Sequence, residues 1–304
     1  GEGPWGSIKD RTALSLLRSV ASRIEVPGTT LVESTSGNLG VALASAAVEI
    51  GLRFVAVTDP NMSPVLEERL TALGAELMRV TEPDRQGGYL DARLKLVGEL
   101  TAADPSVVWT DQYHNPANPL AHYQGTGPEL DRQTYGVFDA VFVAVSTGGT
   151  LAGLGRYLHH RRPDVRVIAV DVPGSRVFAE PTGSRLLTGI GASQASCFLR
   201  PGDWDEVVIV DDVAAIAHCH ALADALGVRL GGSGGAVLAA CAHYLALHPE
   251  IRFPVCLCPD SGDNYTRTLY APGWLSGRGV QLSRELLQPT ADHPPVAFLP
   301  AAWT

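Results

Sequence analysis

Two of the 23 basic residues in this sequence are lysines, Lys9 and Lys95; all the others are arginines. Lys9 sits in GSIKDR (6–11). A lysine amine forms a Schiff base with an aldehyde, and when desolvated it can serve as a base; a guanidinium does neither usefully. Three glycine-rich stretches add a second chemistry: STSGNLG (34–40), STGGT (146–150) and GGSGGA (231–236). Backbone N–H groups at a helix N-terminus bind phosphate, and glycines let the ligand approach closely. The serines and threonines contribute hydroxyls. The plainer reading of any one stretch alone is a tight strand–helix turn that needs glycine for its backbone. No G-x-x-x-x-G-K-[ST] occurs, and no clean G-x-G-x-x-G opens a βαβ unit, which weighs against nucleotide binding.

Positioning these residues requires a framework, and the apolar pattern supplies one. Strands are expected at 29–34, 53–59, 76–80, 137–146, 165–171, 206–212 and 253–260. Helices are expected at 38–51, 64–75, 89–103, 149–161, 213–227 and 234–248. Near-continuous apolar strands separated by helices indicate an α/β fold with parallel sheets covered on both faces. In such sheets ligands sit beyond the carboxyl ends of the strands, where the glycine-rich stretches fall. The segment 112–130 breaks this rhythm with Asn, Pro and Gly and is the expected crossover between two domains, 1–121 and 122–304. The tail from Gln288 is rich in Pro and Ala and is expected to wander over the surface.

Composition narrows the functional classes. The net charge of −9 argues against a nucleic-acid surface. No apolar run approaches the roughly 18 residues of a membrane span, and no signal peptide is evident. The five cysteines, Cys197, Cys219, Cys241, Cys256 and Cys258, lack zinc-ligand spacing. Cys256 and Cys258 alternate along one strand and are expected to be buried and reduced, which fits a cytoplasmic protein.

A reactive lysine, a phosphate cradle and polar groups for a ring are the parts of a pyridoxal 5'-phosphate site. GSIKDR, STSGNLG, STGGT, GIGAS (189–193), GGSGGA and PDSGD (259–263) follow one another in that order. Together they resemble the β-substituting pyridoxal-phosphate enzymes of the cysteine synthase and cystathionine β-synthase fold type, over essentially the whole chain. The resemblance implies two open, mostly parallel twisted sheets covered by helices. It implies that Lys9 is the cofactor lysine and that Asn38 contacts the ring hydroxyl. Ser146, Thr147, Gly148, Gly149 and Thr150 would cradle the phosphate, and Ser233 would meet the pyridine nitrogen. Thr35, Ser36 and Gln112 would hold the substrate carboxylate. No metal is implied, and the partners are amino-acid substrates and a second copy in a homodimer. The family carries a longer segment ahead of its lysine, with a strand and an oligomer contact. Only eight residues precede Lys9, so either the sequence is cut short or that strand is missing.

Within the family, the stretches 59–77, 82–93 and 170–178 are most similar to synthases that join O-phospho-L-serine to L-glutamate in 2,3-diaminopropionate supply for siderophores or peptide natural products. Tyr113 and Ser146 replace the Phe and Gly usual in cysteine synthases, and each adds a hydroxyl expected on the substrate side. Arg176, Arg185 and Ser193 are candidates for the leaving phosphate. Gln194 stands where the branch often has arginine. The alternative is a cysteine synthase or O-ureidoserine synthase that uses another nucleophile.

Overall fold

The computed structural model describes residues 3–84, 88–178, 185–288 and the backbone of 296–299. The chain divides into two compact units, one ending at Asn118 and the other beginning at Pro119.

The first unit contains α1 (Lys9–Ser19), a short α2 (Ala21–Ile24), β1 (Thr30–Ser34), α3 (Asn38–Ile50), β2 (Arg53–Thr58), α4 (Pro64–Ala72), β3 (Glu76–Arg79), α5 (Leu90–Ala103) and β4 (Val107–Trp109). Its sheet is parallel throughout, in the order β3-β2-β1-β4. Successive residues of a strand face opposite sides. Leu31 accordingly joins a core with Leu16, Leu43 and Leu66, while Val32 joins Val55, Val57 and Val97. Helices therefore cover both faces, which explains why β1 has no polar alternation.

After α6 (Ala117–Ala121) come a π-helical turn (His122–Thr126) and α7 (Gly127–Gln133), so most of the stretch that breaks the apolar rhythm is helical. The second unit continues with β5 (Ala140–Ala144), α8 (Gly149–Arg161), β6 (Arg166–Asp171), β7 (Glu206–Val210), α9 (Asp212–Leu226), α10 (Gly232–Leu247), β8 (Pro254–Leu257), α11 (Pro272–Gly277) and β9 (Val296–Leu299). The sheet order is β8-β5-β6-β7-β9, parallel except for β9. Phe142 of β5 packs with α9 and α10 residues such as Ile216 and Tyr244, whereas Val141 and Val143 pack against Leu151 and Leu154 of α8.

Three expectations change. The C-terminal tail does not wander throughout: Val296–Leu299 pairs antiparallel with β7, from Val207↔Leu299 to Val210↔Val296. The strand at 254–257 is thus not the last. Cys256 and Cys258 are half-buried rather than buried, because β8 lies at the edge of its sheet. None of the five cysteines is in a disulfide. Among the described residues no helix is long and apolar enough to cross a membrane.

Among the parallel strands of each sheet the direction of growth reverses once. In the first, β1 lies between β2 and β4; in the second, β5 lies between β6 and β8. A strand-order reversal leaves a crevice at the carboxyl ends of the strands, the usual ligand position in open α/β sheets. STSGNLG follows β1 and STGGT follows β5.

Candidate active site

Lys9 is the first residue of α1, and the turn before it is fixed by a buried carboxylate. Asp10 is 2% exposed. It accepts the Trp5 N–H at 2.9 Å and the Ser7 hydroxyl at 3.5 Å. The Ser7 oxygen in turn accepts the Lys9 N–H at 3.2 Å. An acidic group in the first turn also suits the helix dipole. GSIKDR is therefore a local device in which Asp10 holds the backbone that presents Lys9.

Thr35 and Asn38 open α3. The Thr35 hydroxyl accepts the Gly40 N–H at 3.1 Å. The Ser36 hydroxyl donates to Asp59 Oδ2 at 2.7 Å and accepts from Arg93 Nη1 at 2.9 Å. Arg93 and Asp59 form an ion pair of 3.3 Å, and both residues are buried. Arg93 Nε lacks a hydrogen-bond partner. Burial pushes the Tyr113 phenol above its ordinary pKa, and a hydrogen bond with Arg93 pulls it back. Tyr113 thus lies against a guanidinium that also holds Ser36.

Below this group, β1 and the segment after β4 are tied together by Glu33, which is fully buried. Its carboxylate accepts from Ser34 N–H at 2.8 Å, Trp109 Nε1–H at 3.2 Å, the Thr110 hydroxyl at 2.5 Å and Gln112 N–H at 3.1 Å. Burial raises its pKa to about 7, against the opposing effect of these donors. The Gln112 side chain donates from Nε2 to Ser34 O at 2.7 Å. Asp111, with φ 55, makes the left-handed turn that brings Gln112 back toward β1.

In the second unit, Gly148 caps α8 with φ 85, and a Cβ there would collide with Ser196 Oγ. Only glycine fits that conformation and that contact. The Ser196 hydroxyl donates to Thr147 O at 2.6 Å. The first-turn N–H groups of α8 lack intrahelical acceptors, as at any helix start. With the hydroxyls of Thr147 and Thr150, this donor set suits a phosphate monoester. The GIGAS loop lies along the cradle: Gly191 N–H donates to Val145 O at 2.7 Å and the Ser146 hydroxyl donates to Gly191 O at 3.1 Å. Ser146→Gly should therefore cost about 1 kcal/mol. It should also speed hydrogen exchange at Gly191 while cofactor binding persists; unchanged exchange would mean the bond does not hold the loop.

Arg185 reaches Ser193 Oγ at 3.5 Å. Its charge also bears on Asp171 and Asp212, whose carboxyls burial pushes up to about 6. Arg176 meets the same loop through its backbone N–H, 2.8 Å from Ala192 O. Ser233 lies in the first turn of α10, its hydroxyl 3.5 Å from Asp260 Oδ1. Asp260 Oδ2 accepts the Tyr265 hydroxyl at 2.6 Å.

Lys9, Thr35, Ser36, Asn38, Gln112 and Tyr113 belong to the first unit, whereas Ser146–Thr150, Arg185, Ser193 and Ser233 belong to the second. Sequence reasoning missed Asp10, Glu33, Asp59, Arg93 and Asp260. Three of these, Glu33, Asp59 and Asp260, carry a usable signal, being acidic residues at or just beyond the carboxyl end of an apolar strand. Each unit by itself carries groups of the kind pyridoxal phosphate takes: in the first, a lysine at a fixed turn; in the second, helix-start N–H groups with the Thr147 and Thr150 hydroxyls, and the buried Ser233 hydroxyl.

The family described as pyridoxal-phosphate dependent enzyme matches residues 2–258. The N-(2-amino-2-carboxyethyl)-L-glutamate synthase of Ralstonia nicotianae is 42% identical over 274 residues, which cover 90% of this chain and 81% of that protein. The synthase of the same name from Cupriavidus metallidurans is 38% identical over 277 residues, with coverage of 90% and 81%. The crystal structure of O-ureido-L-serine synthase matches with a TM-score of 0.79 at 32% identity, covering 90% of this chain and 88% of that one. That of the O-acetylserine dependent cystathionine beta-synthase from Helicobacter pylori matches at 0.80 and 28%, covering 89% and 88%. With residues 2–258 matched and two relatives 42% and 38% identical over 90% of its length, the chain belongs to the family of pyridoxal-phosphate dependent enzymes.

Proposed function

We propose that this enzyme performs a β-replacement on O-phospho-L-serine, with the amine of L-glutamate as nucleophile. The product is N-(2-amino-2-carboxyethyl)-L-glutamate, a source of 2,3-diaminopropionate for a siderophore or peptide natural product, made by a homodimer in the cytoplasm. The observation that carries this reading is the 42% identity to a synthase named for that product. The buried Arg93–Asp59 pair fits a site for amino-acid substrates generally: it fixes Ser36 and lies against Tyr113, in the loop assigned to the substrate carboxylate.

Bound to this chain, pyridoxal phosphate supplies an aldehyde carbon for amines and a ring that withdraws electrons from the substrate α-carbon. Lys9 Nζ would anchor the cofactor and would take the α-proton of the substrate. Asn38 orients the ring through its hydroxyl. Ser233 offers the ring nitrogen a neutral hydroxyl, which favours loss of the β-substituent. Ser146–Thr150 would hold the phosphate of the cofactor. Thr35, Ser36 and Gln112 hold the substrate carboxylate, and Arg185 with Ser193 takes the departing phosphate.

The test is product mass spectrometry with phosphoserine or O-acetylserine, each offered with glutamate or sulfide. Phosphoserine with glutamate is expected to give the coupled amino acid and inorganic phosphate in equal amounts. Turnover with sulfide but not glutamate would replace this reading with a cysteine synthase.

A further inference from the structure

His122 is fully buried in the π-helical turn that precedes α7, and it has no part in the reaction steps assigned to the site. The turn is closed by Gly127 N–H donating to His122 O, five residues back. Such turns recur at functional sites. This one is pressed against α8, because a Cβ on Gly153 would collide with Pro119 O and lie 2.8 Å from His122 Cβ. Both ring nitrogens of His122 have partners. Nδ1 lies 2.9 Å from Thr126 Oγ1, and Nε2 lies 3.3 Å from Thr150 Oγ1. Thr150 is the last residue of STGGT and sits in the first turn of α8.

A threonine hydroxyl has one proton to give. If His122 carries its proton on Nδ1, Nε2 is an acceptor and the Thr150 proton points back into the protein. If Nε2 carries a proton, Thr150 accepts from the ring and its own O–H is released to face an anion. Thr126 can serve either arrangement, since a hydroxyl both donates and accepts. We propose that His122 is a positioning residue that keeps a proton on Nε2 and thereby commits the Thr150 hydroxyl to donate to the phosphate of the cofactor. This rests on the reading of residues 146–150 as the phosphate cradle.

Thr150→Val and His122→Leu are each expected to weaken pyridoxal phosphate binding to the apoenzyme about tenfold, the loss of one hydrogen bond to an anion. Because His122 acts through Thr150, the double variant should be no weaker than Thr150→Val alone. The wild-type holoenzyme gives a second readout besides affinity. In its 15N spectrum, the histidine signal that moves on Thr126→Val and Thr150→Val substitution should show a protonated Nε2. Additive losses in the double variant, or an unprotonated Nε2 in the holoenzyme, would overturn the proposal. The 31P resonance of the bound cofactor tests the premise separately: if Thr150→Val leaves both it and the affinity unchanged, the cradle reading fails rather than the role of His122.

Discussion

Lys9→Ala is expected to abolish turnover, with a rate loss of about 10³-fold or more, because in the proposed mechanism one group both anchors the cofactor and moves the α-proton. The visible absorbance of the protonated Schiff base should vanish with it. The loss should be complete because no second amine can substitute. The other lysine, Lys95, is on α5 with its side chain 78% exposed and 3.8 Å from Glu99. Lys95→Arg should leave both the absorbance and the rate unchanged. The fold should survive Lys9→Ala, since hydrogen bonds among Trp5, Ser7, Asp10 and the Lys9 backbone hold the turn. A Lys9→Ala variant that keeps its visible band and turns over would show that Lys9 is not the cofactor lysine.

The second large effect is expected at Glu33. Glu33→Ala leaves the donors of Ser34, Trp109, Thr110 and Gln112 facing a buried gap, which should destabilise the protein by on the order of 3 kcal/mol. Glu33→Gln separates charge from shape. The folded pKa is raised from 4.5 to about 7, so the folded state holds an extra proton between those values. A group raised in this way lowers stability as pH rises through the window, since its charge becomes costly to bury. Wild type should therefore lose stability relative to Glu33→Gln between about pH 5 and about pH 8, as read by urea denaturation. A constant difference across that range would show that Glu33 does not titrate there. The amide introduced by Glu33→Gln would also set an N–H₂ group against existing donors, so the KM for the amino-acid substrate should rise while cofactor affinity holds.

Elements buried on both faces were legible, since an uninterrupted apolar run such as the one around Val141–Val143, short and flanked by turn residues, suits a strand covered by helices on either side. The strand Val107–Trp109 was not read because it spans three residues and is too short to establish a period. The one at Val296–Leu299 sits inside a Pro- and Ala-rich tail whose composition points away from order. The glycine turns and Lys9 stood out because their residue types are chemically restrictive. The buried charges did not. Glu33, Asp59 and Arg93 look like surface residues in one dimension, because charged groups are almost never fully buried unless paired. Their partners arrive only through folding: Glu33 meets residues 109–112, and Arg93 reaches Ser36 from α5. The hydroxyls of Tyr113 and Ser146 were noticed, but not their protein partners, Arg93 and Gly191 O, for the same reason.

The pairing of Val296–Leu299 with β7 has a consequence for solubility. A parallel sheet whose outer strand shows bare N–H and C=O groups is a template on which another chain can add. Here the protein lays Val296–Leu299 along that rim, so that β9 rather than the longer β7 is the outer strand. A chain ending near Gln288 would keep every residue proposed for the site and yet uncover the edge of β7, whose Val207, Val208 and Val210 are buried. Its failure would be seen as loss of soluble protein in the preparation rather than as a change in any rate constant.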